Sequence, residues 1–451
     1  MFDLIVKNAN IVTCESIFRG SIAVKDEKIV EILEPDTDED AVTIVDGMGN
    51  YLFPGIIDAH VHLNDPGYTW REDFYHATEA AAIGGVTTVV DMPLQNVPAL
   101  TNSKIFEDKH KIVGPKALID YGFWGGLVDY NLSDLDGLND SGVMAFKSFL
   151  SPVGKDYTSL DLGRVRKALG TIKKFDGVAG FHCEDYSIIA YEEEQAVKSG
   201  KVSRSDYLKS RPLIAELIAV KNIIDLSKET GARVHICHVS SPAVAKEIRH
   251  AKAQGVRITA ETCPHYLKFN EDDFIEKGML FKCAPPLRTK EESEDLWKYL
   301  CDGTLDIVSS DHSPSAENEK SEDEGAFKPW GGISGLQTGL QVMFNEAVVK
   351  RGLSCSLIAS LMAKKPAEIF GMSGKKGMIV PGYDADMVLL NPNEKWEITE
   401  DSLKYLNKIS AFTGTTGMGL PICTIMRGKI IADKGRITGE HGFGKLIKKG
   451  I

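Results

Sequence analysis

Eight short strand-like runs alternate with helix-like segments through the middle of this chain. The helical segments include residues 71–83, with an alanine-rich face, and residues 215–230, where apolar residues recur every three or four positions. The strand-like runs comprise residues 56–62, 87–92, 118–124, 143–149, 177–183, 233–239, 257–262 and 305–311. Eight strands that alternate with helices close most simply into an α/β fold of the TIM type, a (β/α)8 barrel with its active site at the carboxyl ends of the strands.

The two ends of the chain carry a different pattern. Residues 1–53 contain short strand-like runs separated by turns, and a matching set returns after residue 375. We therefore predict a small β-sandwich domain built from residues 1–53 plus 375–451, with residues 54–374 inserted as the catalytic barrel.

Composition narrows the classes of function. With 43% hydrophobic and 26% charged residues, the chain of 451 residues has the balance of an ordinary globular protein. A net charge of -12 argues against nucleic acid and anionic membranes as partners. No apolar run approaches the length of a membrane span, the first residues lack a secretion-signal layout, and the eight cysteines lack CxxC spacing. We expect a cytoplasmic protein with a small-molecule substrate.

Side chains of the metal-binding type fall at or near the ends of the predicted strands. His60 and His62 are separated by one residue of a strand and therefore project from the same face, although such a pair can also be incidental. Imidazoles suit Zn, Co, Ni or Mn, and carboxylates can bridge two ions. The six candidate ligands are His60, His62, Lys147, His182, His238 and Asp311.

Lys147 is the unusual member of this set. An ammonium group would repel metal ions, so an unmodified lysine is a poor ligand. Desolvation and nearby cations favour the neutral amine, which can add carbon dioxide to give a carbamate whose two oxygens can bridge a metal pair. Taken alone, Lys147 is better explained as a side chain that extends to the barrel rim.

Several motifs together resemble one family along essentially the whole chain. They are Phe53-Pro54-Gly55-Ile56-Ile57-Asp58-Ala59-His60-Val61-His62, Phe146-Lys147, His182-Cys183-Glu184, Cys237-His238-Val239-Ser240, Ser310-Asp311-His312 and Pro381-Gly382-Tyr383-Asp384-Ala385-Asp386. This set resembles the cyclic amidohydrolases, which include dihydroorotases, hydantoinases, dihydropyrimidinases and allantoinases. The resemblance implies a homotetramer and two divalent metal ions, Zn in the first place and Co, Ni or Mn otherwise.

The same resemblance implies a role for each ligand. His60, His62 and Asp311 would hold the first metal, His182 and His238 the second, and Lys147, carbamylated by CO2, would bridge them. The metal pair would activate a bridging water as hydroxide for attack on a ring amide, and Asp311 would carry the proton to the leaving nitrogen. For His265 and His312 we expect packing or supporting roles.

The ring specificity is inferred from finer resemblances. Dihydroorotases grip a ring carboxylate with an Arg and an Asn, and this chain has Asn64 and Leu94 there. Residues 92–94, 124–128 and 330–337 instead resemble allantoinases, which open the hydantoin ring of allantoin to give allantoate. As substrate-binding residues we predict Asn64 and the backbone of Ala284 and Gly332, because a glycine pair exposes backbone groups that can pair with a flat ureide.

Two departures from the allantoinase pattern remain, and so do two alternatives. Gln95 stands where Asn is frequent, and Ser315-Ala316-Glu317 replaces Cys-Pro-Pro. The acidic loop 313–330 is either a mobile flap over the barrel mouth or a solvated insertion. The alternative activity is that of a hydantoinase or dihydropyrimidinase, and the non-enzymatic alternative is a dihydropyrimidinase-like scaffold.

Overall fold

The computed structural model describes residues 1–154 and 156–450. Its strands are β1 (Phe2–Val12), β2 (Ile17–Lys25), β3 (Lys28–Leu33), β4 (Ala41–Asp46), β5 (Tyr51–Pro54), β6 (Ile56–Val61), β7 (Val86–Asp91), β8 (Asp120–Gly126), β9 (Ala145–Phe149), β10 (Val178–His182), β11 (Arg233–Ile236), β12 (Ile258–Thr262), β13 (Ile307–Val308), β14 (Met387–Glu397), β15 (Thr416–Met426), β16 (Lys429–Asp433) and β17 (Arg436–Ile437). They form two separate sheets.

Helices lie between most of the barrel strands. They are α1 (Phe74–Ile83), α2 (Ser103–Val113), α3 (Leu135–Ser141), α4 (Leu162–Ile172), α5 (Tyr186–Lys198), α6 (Arg204–Ser210), α7 (Leu213–Thr230), α8 (Pro242–Ala253), α9 (Pro264–Lys268), α10 (Glu271–Lys277), α11 (Lys290–Cys301), α12 (Gly339–Met343), α13 (Cys355–Ala359) and α14 (Lys365–Ile369), with π-helical turns at Phe344–Val349 and Ser360–Lys364. Within residues 1–154 and 156–450, none of them combines the length and apolar character needed to cross a membrane.

The middle of the chain forms the barrel that the alternating pattern predicts. Strands β6 to β13 pair in chain order, each parallel to the next. The sheet nearly closes on itself, because Val61 bridges His312 and the His62 N–H donates to the His312 carbonyl at 2.8 Å. The (β/α)8 fold class is therefore confirmed, and the carboxyl ends of its strands meet at one mouth.

The second sheet is built from both chain ends. Eight of its nine strands run in the order β17-β16-β15-β14-β5-β1-β2-β3. The ninth, β4, pairs in parallel with β1. Most of the pairs are antiparallel. The sequence prediction of a separate terminal β unit is confirmed, whereas the division of the chain at residues 54 and 374 stays a prediction.

A buried ion cluster joins the terminal sheet to the barrel. Lys376 lies between the carboxylates of Asp120 at the start of β8 (2.8 Å), Asp384 (3.2 Å) and Asp386 (2.5 Å). Arg427 at the end of β15 also pairs with Asp120. Because these charges are buried, removal of one partner would leave another unpaired, and the cluster fixes how the two sheets meet.

Two barrel strands end well before the carboxyl ends that the sequence predicts. The sixth ends at Ile236 rather than residue 239, and the eighth ends at Val308 rather than residue 311. His238 and Asp311 lie beyond these ends with φ of 37° and 45°, a left-handed conformation that non-glycine residues rarely adopt. The hydrophobic alternation did not reveal these turns, which redirect both side chains at the mouth.

Candidate metal centre

Three of the predicted ligands meet at the first strand of the barrel. His60 lies in β6, His62 follows that strand directly, and Asp311 follows β13. The Nε2 atoms of His60 and His62 lie 3.2 and 3.3 Å from the Asp311 Oδ1 atom. Both rings are buried and Asp311 is mostly buried. The three groups therefore converge within the distance that one metal ion spans.

His182 and His238 form a second pair beside the first. His182 is the last residue of β10, and its Nδ1 atom lies 3.2 Å from Nε2 of His238. The ring centroids of His60 and His238 are 5.5 Å apart, which places the two groups of ligands next to each other. Burial lowers the pKa of His238 well below its usual value, so the ring stays neutral and able to coordinate a cation.

Lys147 lies in β9 with a fully buried side chain. Its Nζ atom has no hydrogen-bond partner in the described part of the chain, although it lines the same cavity as the four histidines. A buried ammonium without an anion is unfavourable. The amine is thus placed where conversion to a carbamate would replace an unpaired cation with an anionic metal ligand.

Two buried carboxylates orient the histidines. Glu261 in β12 accepts a hydrogen bond from His60 Nδ1, and Glu184 lies 2.7 Å from His182 Nε2. Burial raises the pKa of Glu184, but the charges of Arg211 and Arg288 and the hydrogen bond with His182 together outweigh it and bring the pKa to about 2. Because an ionised carboxylate only accepts hydrogen bonds, the protonated nitrogens face Glu261 and Glu184.

This protonation pattern tests whether the site fits a cation. With Nδ1 protonated, His60 presents the Nε2 lone pair to a carboxylate oxygen of Asp311. With Nε2 protonated, His182 presents its Nδ1 lone pair to His238. The neutral ring of His238 can in turn present the lone pair of its Nε2 atom to His182. Burial raises the pKa of Asp311, but His60 and His62 hold it well below its usual value, so that carboxylate is ionised. In this protonation state the lone pairs lie about 3 Å apart and a cation between them would remove their repulsion, so the donor set fits divalent metal ions.

A cavity of about 130 Å³ lies above these groups. Its lining includes all six predicted ligands together with Leu94, Gln95, Arg211, Ala284, Trp330, Gly331 and Gly332. Gly332 and the segment before Ala284 are direct neighbours, since the Gly332 N–H donates to the Lys282 carbonyl at 2.9 Å. Asn64 is fully buried at φ 59° and lies outside this lining, so its substrate-binding role stays a prediction.

The two remaining histidines of the motifs lie apart from the cavity lining. His312 accepts a hydrogen bond at Nδ1 from the Gly335 N–H (3.2 Å) and packs against Tyr405. His265 is buried among aromatic and apolar side chains, and its ring nitrogens have no partner among the described residues. These positions agree with the packing roles that we expected for both.

The sequence reasoning missed three residues that support the centre. Glu184 stands two residues after His182, so its motif already contained the signal. Glu261 is the penultimate residue of the seventh strand, where an acidic residue near a barrel mouth could have drawn attention. Arg211 lies between helices α6 and α7 and joins Glu184 (2.6 Å) to Glu193 (2.9 Å), a relationship that only the folded chain reveals.

The fold and the centre together define a class of protein, the barrel hydrolases whose active site is a histidine-rich metal centre at the carboxyl ends of the strands. Residues 51–431 match the model of the Amidohydrolase family. The chain belongs to this family, and it is a metal-dependent cyclic amidohydrolase.

Comparison with individual proteins agrees with this membership. The chain is 38% identical to an allantoinase of Salmonella choleraesuis (strain SC-B67) over 447 residues, which cover 98% of this chain and 96% of that protein. The L-hydantoinase (dihydropyrimidinase) from Arthrobacter aurescens superposes with a TM-score of 0.97 at 32% identity, with full coverage of both chains. The D-hydantoinase (dihydropyrimidinase) from a Thermus species has a TM-score of 0.93 at 26% identity and 99% coverage of each. The predicted family resemblance is confirmed.

Proposed function

We propose that this protein is an allantoinase, which hydrolyses a ring amide of allantoin to give allantoate. The observation that carries the proposal is the pair of facing donor groups, His60 with Asp311 and His182 with His238, beside the unpartnered amine of Lys147. The choice of allantoin is supported by relatives that are named allantoinases and that match 98% of the chain.

Two divalent ions fit the donor set. His60, His62 and Asp311 would hold one ion, His182 and His238 would hold the other, and carbamylated Lys147 would bridge them. When bound, such ions supply Lewis acidity for a carbonyl group and lower the pKa of a water molecule. Zn is our first expectation, while Co, Ni and Mn suit the same ligands.

Asp311 is the proton carrier in this proposal. Its ionised carboxylate takes a proton from the attacking water as the new carbon–oxygen bond forms. The same carboxylate gives that proton to the ring nitrogen as the carbon–nitrogen bond breaks, so the nitrogen leaves as part of a neutral ureido group. The Oδ1 atom of Asp311 lies beside His60 and His62 and would face the metal with them, which leaves Oδ2 to carry the proton.

The cavity suits an uncharged ring. Leu94 lines it at the position where dihydroorotases would need an amide for a ring carboxylate. Arg211 also lines it, but Glu184 and Glu193 already pair with that guanidinium. A ring acid would therefore lose its hydration without gaining a free cation, whereas a neutral ureide can use backbone groups near Ala284 and Gly332.

A hydantoinase or dihydropyrimidinase activity is the second candidate, favoured by the TM-score of 0.97 with the A. aurescens L-hydantoinase. The test compares hydrolysis of allantoin, hydantoin and dihydrouracil by one purified sample whose metal content per chain has been measured. We expect two ions per chain and the highest kcat/KM on allantoin. A preference for hydantoin or dihydrouracil would favour the second candidate, and a metal-free, inactive protein would favour the scaffold alternative.

A homotetramer is proposed on family resemblance alone. Light scattering coupled to size-exclusion chromatography tests it, with a mass near four times the chain mass of 49.4 kDa as the expected result. A monomer that retains full allantoin turnover would remove this part of the proposal.

A further inference from the structure

Lys282 is buried without a carboxylate partner. Its Nζ atom donates to the backbone carbonyls of Phe327 (3.1 Å) and Pro329 (2.6 Å), and it lies 4.6 Å from the centre of the Tyr207 ring. Only 4% of its surface is exposed. Among the described residues no carboxylate lies within 4.0 Å of this ammonium group. Lysines are almost never buried in this way unless they are paired, so the position calls for a function.

Lys320 repeats this arrangement from the other side of the same loop. Its Nζ atom donates to the carbonyls of Trp330 (3.0 Å) and Gly332 (2.7 Å). The Lys320 side chain is half-buried, and burial together with the charge of Lys282 lowers its pKa to about 7. The two lysines together occupy four carbonyl oxygens within residues 327–332, which we call the Gly-Gly segment.

The Gly-Gly segment forms one wall of the cavity. Trp330, Gly331 and Gly332 line the space above the metal-type ligands. The Gly332 N–H donates to the Lys282 carbonyl, and the Gly332 carbonyl accepts from Lys320 and keeps a second lone pair for a bound ring. Four hydrogen bonds from lysine side chains thus hold this wall, beside the backbone hydrogen bonds from Trp330 to Glu319 and from Gly332 to Lys282.

Arg71 holds the loop by a different interaction, which reaches Glu319 in its outer part and Trp330 in the Gly-Gly segment. Arg71 binds Glu319 through two nitrogens at 2.6 to 2.9 Å and stacks 3.9 Å from the centre of the Trp330 indole. An ionised pair of this kind, supported by stacking, keeps the loop folded over the barrel mouth. Loss of a lysine would therefore loosen the Gly-Gly segment while the rest of the loop stays attached.

We propose that Lys282 and Lys320 are positioning residues that hold the Gly-Gly segment against the bound ring. They act through the backbone of the Gly-Gly segment and contact neither the ring nor the candidate metal ligands. The proposal rests on the proposed function in one respect, which is that the ring bound in this cavity is that of allantoin. The backbone carbonyls of a closed loop require hydrogen-bond donors. Two lysine amines supply these donors, and without them water would have to bind the carbonyls of this wall.

The test compares Lys320→Met and Lys282→Met with Lys328→Met. Methionine keeps most of the lysine stem but removes the donors. Lys328 lies on the same loop with an exposed side chain, so its replacement is the matched control. Hydrogen–deuterium exchange of the peptide covering residues 327–332, measured without substrate, should become faster in the first two variants and remain unchanged in the third.

Kinetics give the second measurement. We expect KM for allantoin to rise about ten- to hundredfold in Lys320→Met, because a small displacement of a binding wall has effects of this size. Metal content per chain should match the wild type, and kcat should change much less than KM. Lys320→Gln, which keeps one amide donor, should fall between the wild type and Lys320→Met in both measurements.

Two results would overturn the proposal. Unchanged exchange of the Gly-Gly segment in both methionine variants would show that the lysines do not hold it. Loss of metal together with kcat would show that they act on the centre itself. If the wild type does not hydrolyse allantoin at all, the proposed function fails, but the exchange measurement still decides whether the lysines hold the segment.

Discussion

His60 is hydrogen-bonded through Nδ1 to a carboxylate oxygen of Glu261, and both side chains are buried. The bond joins the first barrel strand to the seventh. It fixes the orientation of the imidazole and leaves Nε2 as the nitrogen that faces Asp311, 3.2 Å away. A carboxylate behind a metal-binding histidine also raises the basicity of the ring, so Glu261 should influence metal affinity without touching the metal.

We therefore expect Glu261→Gln to weaken metal binding about 10- to 100-fold, the usual effect of removing such a partner. The affinity can be measured by competition between the metal-free protein and a chromophoric chelator, which requires no substrate. Glu276→Gln removes an exposed carboxylate from helix α10 and serves as the control. Equal affinities in the two variants would mean that Glu261 only fills space.

Replacement of Lys147 tests the proposed bridging carbamate. Lys147→Ala should lose at least one metal ion per chain and nearly all turnover, because the anionic bridge between the ions disappears. A small carboxylate such as acetate or propionate fits the space left by the side chain and should restore part of both. Lys174→Ala, at an exposed position, is the control. Full activity of Lys147→Ala without added carboxylate would contradict the bridge.

The parts of the site that the sequence predicts correctly depend on local information. The alternation of apolar and polar residues over a few positions predicts the strands. It also predicts which side chains lie near the strand ends, namely His60, His62, Lys147 and His182. A barrel topology then brings all strand ends to one mouth, which is why distant residues could be grouped.

The remaining features depend on contacts between distant parts of the chain. Glu261 pairs with His60 across 201 positions, and Lys282 reaches carbonyls 45 and 47 positions away. A buried lysine bound only to carbonyls has no sequence pattern, since its donors satisfy backbone atoms that every residue type has. For the same reason, the sequence left the acidic loop 313–330 as either a mobile flap or a solvated insertion. The residues to which the loop is attached, Arg71 and Lys282, lie outside it.

The two adjacent glycines of the cavity wall should differ in their tolerance of a side chain. A Cβ atom on Gly332 would lie 2.5 Å from both the carbonyl oxygen and the Oγ atom of Ser313, whereas one on Gly331 would meet nothing closer than 3.7 Å. Overpacking of this kind costs about 1–3 kcal/mol. We expect Gly332→Ala to lower the melting temperature and Gly331→Ala to leave it nearly unchanged. Equal effects in a thermal unfolding measurement would mean that the Ser313 backbone moves freely.

The pH dependence of stability provides a further test of Lys282. Burial and the charge of Arg211, opposed by Glu193, together lower the pKa of Lys282 from 10.5 to about 7. Between about pH 7 and pH 10.5 the unfolded chain therefore binds more protons at this site than the folded protein does. The contribution of Lys282 to the free energy of unfolding rises with pH across this window and is lost as the pH falls through 7.

The neutral amine still has two N–H groups, so its hydrogen bonds to Phe327 and Pro329 persist after the proton is lost. We expect the unfolding free energy of the wild type, minus that of Lys282→Met, to increase with pH by at most about 1.4 kcal/mol per pH unit. Urea unfolding at several pH values measures this difference, and the exposed Lys328→Met should show no such trend. A difference that stays flat or falls with pH would mean that burial of the Lys282 ammonium costs no free energy in the folded protein. The two carbonyls would then have to provide the solvation that water gives a lysine in the unfolded chain.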